Sequence, residues 1–264
     1  LQANTTPPKH IHMIPSSKIA LRIRDIDITS HYATHLRKAA TRPALEKRFY
    51  KHYGWTPAQV DHIDWKAHQG AFSKLRFAEK KFVLKFIHQS LPMGKIFHKI
   101  DPSQPITCSS CQLSPESDTH LYRCPTRRVA MEDTFLGDTL QSFLQEQVTC
   151  PRLACTLLEA LHSDIDDSRY PQFKNRHGAN DPNYRKLHQL QAYVGWSQLF
   201  QVRLVKEWSQ LQETFLENLP PTYKPDRNTS TAAIWVPDLV TSRWDIHPPQ
   251  WDTRNPNQPG RPKQ

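Results

Sequence analysis

Cys108-Ser-Ser-Cys111-Gln-Leu-Ser-Pro-Glu-Ser-Asp-Thr-His120-Leu-Tyr-Arg-Cys124 is the stretch on which the reading of this chain turns. Its spacing is C-x2-C-x8-H-x3-C. Zinc takes four soft or borderline ligands at tetrahedral corners, about 2.0–2.3 Å from the ion. A C-x2-C pair bends around one ion and supplies two corners. An H-x3-C pair on one helical turn supplies the other two, because i and i+4 project from the same face. Ser114-Pro115-Glu116-Ser117 between the pairs is loop chemistry, and Ser117 or Thr119 is placed to cap the turn bearing His120. With Cys108, Cys111, His120 and Cys124 filling all four corners, the motif predicts one structural Zn2+ rather than a catalytic ion with an open position. An iron–sulfur cluster would ask for four cysteines. The bland alternative is a loop with two reduced thiols beside a chance His and Cys. Against it, residues 101–119 lack apolar periodicity and are rich in Ser, Pro and Asp, so they need a source of order other than a core. Metal binding is such a source.

Outward from the motif, the pattern is helical. From Trp65 to Ser90, Leu75, Ala78, Phe82 and Phe86 recur at steps of three or four, with Val83 and Ile87 beside them. Lys74, Lys81 and Lys85 fall on the other side, and Leu91-Pro92-Met93-Gly94 is read as the helix stop, with Gly available for a left-handed residue. Upstream, residues 1–20 are a polar lead-in and Ile19–Ile28 alternates enough for a short strand. Residues 30–53 read as one or two amphipathic helices, with Tyr32, Leu36, Ala40, Leu45 and Phe49 on apolar faces. Thr56-Pro57-Ala58-Gln59 is a helix start: a Thr cap, Pro at the first helical position and a polar third residue.

Downstream, residues 130–163 predict two helices broken at Pro151, carrying Phe135, Leu140, Phe143 and Leu144, then Leu153, Leu157, Leu158 and Leu161. Residues 166–184 read as a polar loop. Leu187–Leu219 reads as one long helical stretch, and beyond Pro220-Pro221 the chain is an irregular proline-rich tail with scattered Trp235, Trp244 and Trp251. The expected fold is therefore mostly α, a helical domain with a small zinc-stapled CCHC loop. Its expected divisions are 1–60, lead-in and N-terminal helices; 61–130, basic helix plus metal region; 131–219, helical; and 220–264, tail.

The composition of the 264 residues narrows the function. Hydrophobic residues make up 37% and the mean hydropathy is −0.70, which predicts small, separated cores. Seven glycines against 22 prolines leave little material for phosphate-cradling loops. No run approaches the ~20 apolar residues of a membrane span, and no signal peptide is evident at the start. Five cysteines, three of them beside His120, fit reduced thiols, with Cys150 and Cys155 as packing residues. These features predict an intracellular protein, nuclear or cytoplasmic and not secreted; a start at Leu1 suggests a fragment of a longer product.

Charge is unevenly spread along a chain of formal charge +10. In residues 66–99, Lys66, Lys74, Arg76, Lys80, Lys81, Lys85, Lys95 and Lys99 stand against Glu79 alone. Residues 131–167 run the other way, with Glu132, Asp133, Asp138, Glu146, Glu159, Asp164, Asp166 and Asp167 against Arg152. A basic block followed by an acidic one suggests two faces with different partners, unless both are ordinary solvated surfaces.

Lys81-Phe-Val-Leu-Lys-Phe-Ile-His-Gln-Ser-Leu-Pro-Met-Gly-Lys95, the CSSC pair and Glu116-Ser-Asp-Thr-His-Leu-Tyr-Arg-Cys-Pro125 together resemble the reverse-transcriptase zinc-binding region of non-LTR retrotransposon proteins. That family pattern has a basic helix, a Leu-Pro break, C-x2-C, an acidic residue ahead of His-Leu, and a final Cys often followed by Pro. Here Leu91-Pro92, Cys108/Cys111, Glu116, His120-Leu121 and Cys124-Pro125 follow in that order. Met93 replaces the usual Thr, and Asp118-Thr119 lengthens the step to His120. The likeness is concentrated in residues 61–130; Gly195-Trp196, Lys206-Glu-Trp208 and Trp251-Asp-Thr-Arg254-Asn255 extend it loosely.

The resemblance implies a place beside an element's RNA or target DNA. The residues offer their own support. Lys74, Arg76, Lys80, Lys81, Lys85 and Lys95 are expected to contact phosphates, which makes binding salt-dependent. Arg123, Arg127 and Arg128 edge the metal loop, and Tyr122 is expected to stack on an unpaired base.

Catalysis is not expected. No Tyr-x-Asp-Asp-like run occurs, and Asp25 and Asp27 lack the third carboxylate of a two-metal site. Pro225-Asp226 and Asp238, with Lys224 and Arg243 nearby, loosely fit a restriction-enzyme-like endonuclease core, but Asn228-Thr-Ser-Thr-Ala-Ala does not read as its strand scaffold. Two non-enzymatic alternatives stand beside nucleic-acid binding: a zinc-stapled module that binds protein through the acidic 131–167 region, and an inactive retroelement remnant.

Overall fold

The computed structural model describes residues 21–23, 26–28, 30–127, 140–165, 181–220, 222 and 234–241. The chain is mostly helical and divides into two compact units, 1–60 and 61–264.

In the first unit the alternating stretch forms a hairpin rather than one strand. β1 (Leu21–Ile23) pairs antiparallel with β2 (Ile26–Ile28), Arg22 opposite Asp27, and their side chains meet at 3.0 Å on the surface. Residues 30–53 give a single helix, α1 (Tyr32–Tyr53), which runs through Pro43. Gly54 ends it at φ 69°, donating its N–H to the Tyr50 carbonyl. The predicted apolar face is mostly unburied: Phe49 is buried and stacked on Trp55, whereas Tyr32 and Leu36 are exposed. Thr56 starts α2 (Pro57–His62) as expected. The Thr56 hydroxyl accepts from Gln59 N at 3.4 Å, and the Gln59 side chain accepts from Thr56 N at 2.8 Å, a reciprocal capping box.

In the second unit, the helical period over 65–90 belongs to two helices, not one. α3 (Trp65–Lys74) is capped by Asp64, whose carboxylate accepts from Ala67 N at 3.0 Å. The chain then breaks at Leu75-Arg76 and restarts as α4 (Phe77–Ile87). Leu75 is extended and buried, so its core-facing position survives the break and keeps the apolar spacing in phase. The left-handed residue after α4 is Gln89, at φ 49°, rather than Gly94. Gly94 instead opens a further helix, α5 (Gly94–Ile100). α6 (Asp118–Arg123) lies within the metal motif.

α7 (Leu140–Glu146) and α8 (Pro151–Ile165) break at Pro151, as predicted, with Pro at the first helical position. Phe135 lies outside the described residues. The expected single helix over 187–219 is three pieces: α9 (Pro182–Val194), a 3-10 segment (Trp196–Gln201) and α10 (Glu207–Glu217). Gly195 at φ 110° and Val202 at φ 56° bracket the 3-10 segment. Within the proline-rich stretch, residues 234–241 form a helix, α11, with Trp235, Val236, Leu239 and Val240 buried. Trp244 and Trp251 lie outside the described residues.

The core gathers Leu153, Leu157, Leu161, Leu187, Leu204 and Trp208. At its centre the fully buried Gln191 amide accepts from Val205 N and the Trp208 indole N–H, and donates to the Gly195 and Arg203 carbonyls. All four of its hydrogen-bonding positions are used, which removes the cost of burying an amide. Ile63 bridges Val205 in an antiparallel pairing, and His68 on α3 reaches the Val202 carbonyl at 2.7 Å, tying α3 to this core. Buried Arg203 donates to the Ile87 carbonyl at 2.7 Å and so closes the C-terminal end of α4. No helix among the described residues is long and apolar enough to cross a membrane.

Candidate metal centre

The metal motif is a hairpin followed by one short helix. Glu116 N donates to the Ile106 carbonyl and Cys108 N to the Ser114 carbonyl, each at 2.8 Å, so 106–108 and 114–116 run antiparallel. The C-x2-C pair sits at the tip, where Gln112 takes φ 56° and donates its N–H to the Cys108 carbonyl. Ser117 caps α6 as predicted, its hydroxyl accepting from His120 N at 3.2 Å. Thr119 meets the Ser117 hydroxyl at 3.1 Å instead of capping the helix. His120 lies on α6, but Cys124 is the extended residue just past it, so the H-x3-C pair straddles a helix end.

This path brings all four predicted ligands together. Their donor atoms lie within 4.8 Å of one another. Cys108 Sγ is 3.9 Å from Cys124 Sγ, and Cys111 Sγ is 3.3 Å from His120 Nε2. A tetrahedron with ~2.3 Å metal–sulfur bonds has edges of ~3.8 Å, so the observed spacing fits one ion at the centre. Cys108 and Cys124 are buried, and Cys111 and His120 half-buried. The cluster could therefore hold a metal ion.

Backbone donors and burial act against each other at two of the sulfurs. Burial opposes ionisation of Cys111, but N–H donation from Leu113 and Ser114 and the neighbouring thiols outweigh it and bring its pKa below the usual thiol value. At Cys124 burial dominates and raises the pKa, although Thr126 and Arg127 N–H groups donate to it. Cys111 and Cys124 thus both accept from the residues two and three positions on, the same turn used twice. Burial, then the Arg127 cation, lowers the His120 pKa, the direction that favours the neutral imidazole of a metal ligand.

Two contacts fix the motif to the helices beside it. Leu121 of α6 is buried in a cluster with Phe86, Leu91 and Met93, flanked by Phe82 and Ile87. Buried Glu116 accepts from Gly94 N at 2.9 Å, and its carbonyl accepts from Lys95 N at 3.1 Å. Gly94 sits at a close approach: a Cβ there would stand 3.0 Å from the Ile106 carbonyl oxygen and 3.1 Å from that of Pro105, a tight contact. Pattern reading attached Glu116 to the motif but did not show that it holds the start of α5.

The residues expected to touch phosphate have different surroundings. Lys74 pairs with Asp238, and Arg76 with Glu79. Lys80 lies 5.7 Å over the Phe72 ring and Lys81 4.5 Å over the Phe77 ring. Lys85 and Lys95 are exposed. Arg127 braces the C-x2-C tip, donating to the Ser110 hydroxyl at 2.6 Å, and Arg123 is half-buried. Arg128 and the Tyr122 side chain lie outside what the structure describes, as do Asp25, Asp226 and much of the acidic 131–167 stretch.

Comparison with protein-family models, with curated proteins and with solved structures finds no match for the chain. Fold and site together define a mostly helical chain carrying a Cys3His cluster that could hold a metal ion.

Proposed function

We propose that the chain is a non-catalytic, zinc-stabilised nucleic-acid-binding region of a retrotransposon-like protein. The observation that carries this reading is the convergence of Cys108, Cys111, His120 and Cys124 donor atoms within 4.8 Å, on a motif seated against the lysine-bearing α4. Three thiolates and an imidazole suit zinc, and four protein ligands leave it a structural ion. The ion would supply folding energy to a segment with little core of its own. Its contribution to binding is indirect: it holds α6 and the hairpin against α4, where Lys81 and Lys85 remain exposed.

The order of motifs, from Leu91-Pro92 to Cys124-Pro125, supports the likeness to the reverse-transcriptase zinc-binding region. An endonuclease reading draws less support, because the Asp238 carboxylate is engaged by Lys74. Binding of RNA and single-stranded DNA at low and moderate salt tests the proposal. Log affinity should fall linearly with log salt as released counterions return. No binding, or an affinity indifferent to salt, would contradict it.

A further inference from the structure

The outer face of α4 carries an unusual pairing of rings and charges. Phe77, Lys81, Leu84 and Lys85 are the exposed residues at i, i+4, i+7 and i+8, one stripe along the helix. Opposite them Val83 and Phe86 are buried. Phe77 is 74% exposed and Leu84 44%, and the Lys81 ammonium stands 4.5 Å over the Phe77 ring. The acidic residue of α4, Glu79, is taken up by Arg76, whose backbone N–H and guanidinium both reach it.

From this stripe we infer that α4 is a stacking platform for single-stranded nucleic acid, with Phe77 receiving an unpaired base and Lys81 and Lys85 the flanking phosphates. The inference rests on the nucleic-acid reading above and narrows it to one class of strand. A ring this exposed has area that Lys81 does not cover, and base–aromatic stacking tolerates any sequence because every base has a π-face. A duplex keeps its bases stacked inside and offers the ring nothing, whereas an unpaired strand offers base and phosphate together. A protein partner fits less well. Phe77 and Leu84 are separated by lysine, so they make no contiguous apolar patch, and lysine is depleted from the centres of protein interfaces. Pattern reading assigned Phe77 no part in binding.

The test is fluorescence anisotropy on the full metal-loaded chain, with an oligo-dT strand and a duplex, each of about 20 nucleotides. The single strand should bind at least about tenfold more tightly than the duplex. Phe77→Ala should weaken single-strand binding about tenfold and leave the salt slope and duplex binding unchanged. Phe77→Trp should restore it. A Lys81→Ala/Lys85→Ala double variant should reduce the salt slope by about 1.4. Phe77 is exposed, so unchanged far-UV circular dichroism certifies the variant fold. Equal affinity for duplex, or Phe77→Ala binding like the wild type, overturns the platform while leaving nucleic-acid binding intact. A Phe77→Ala effect confined to oligomeric state assigns the stripe to a second copy of the chain and overturns it too. Failure to bind either probe removes the underlying reading itself.

Discussion

Residues 101–127 and residues 181–212 are both ordered, but by different means. In the metal motif the buried residues among the described side chains are Cys108, Glu116, Leu121 and Cys124, of which Leu121 alone is a large hydrophobic. In the helical region Leu187, Val194, Leu199, Leu204, Trp208 and Leu211 are all buried around the saturated Gln191 amide. One segment draws on apolar area and a complete hydrogen-bond inventory, and the other has little apolar area but carries a Cys3His cluster that could hold a metal ion. The two should therefore fail under different insults.

The largest separation should come from removing the metal. A strong chelator should strip the proposed zinc, a loss on the order of 10 kcal/mol for a structural site. Hydrogen exchange should then speed up over 106–124 while α8, α9 and α10 stay protected. Uniform exchange throughout would mean that the motif shares the helical core's stability.

Trp208→Ala is the converse insult. It opens a cavity at a fully buried ring and leaves Gln191 short of one donor. The expected cost is about 4 kcal/mol of global stability, read from urea unfolding. Retention of wild-type stability would contradict the assignment of this region as the main core.

Acid should act on the same side of the comparison. Burial, opposed mainly by the hydrogen bond with Val202, lowers the His68 pKa from 6.5 to about 4. The unfolded chain therefore takes up a proton first as pH falls. Stability from this residue is complete above pH 6.5 and is lost between 6.5 and about 4, roughly 3 kcal/mol in all. Thermal melts across that range should fall more steeply for the wild type than for His68→Gln. Parallel curves would show that His68 does not titrate in this way.

The smallest effect sits at the joint between motif and helices. Gly94→Ala places a methyl against the Ile106 and Pro105 carbonyl oxygens. It should cost about 1–2 kcal/mol, seen as weaker metal retention with little change in the core's unfolding. A variant as tight for metal as the wild type would show that the joint yields without cost.

The clustering of Cys108, Cys111, His120 and Cys124 was legible because metal chemistry fixes residue type and spacing together, and Ser117 and Thr56 were legible because capping is local. Tertiary reasons hid the rest. The break at Leu75-Arg76 kept the apolar spacing in phase, so periodicity could not show it. Gly94 read as a turn residue, although what crowds it is a pair of carbonyls eleven and twelve residues further along the chain. Arg203 carries no pattern that marks it as buried against the Ile87 carbonyl. The helix at 234–241 was masked by surrounding prolines, while Trp235 and Val240 pack as core. The α3 lysine at position 74 read as a phosphate contact, and its Asp238 partner lies too far along the chain for spacing to reveal.

The metal content of the purified chain tests the central claim most directly. Wild-type protein should carry about one zinc per chain, and Cys111→Ser should lose most of it, because one of four ligands becomes a hydroxyl. Metal-free wild type with residues 106–124 still protected, or a Cys111→Ser protein with its zinc undiminished, would contradict it.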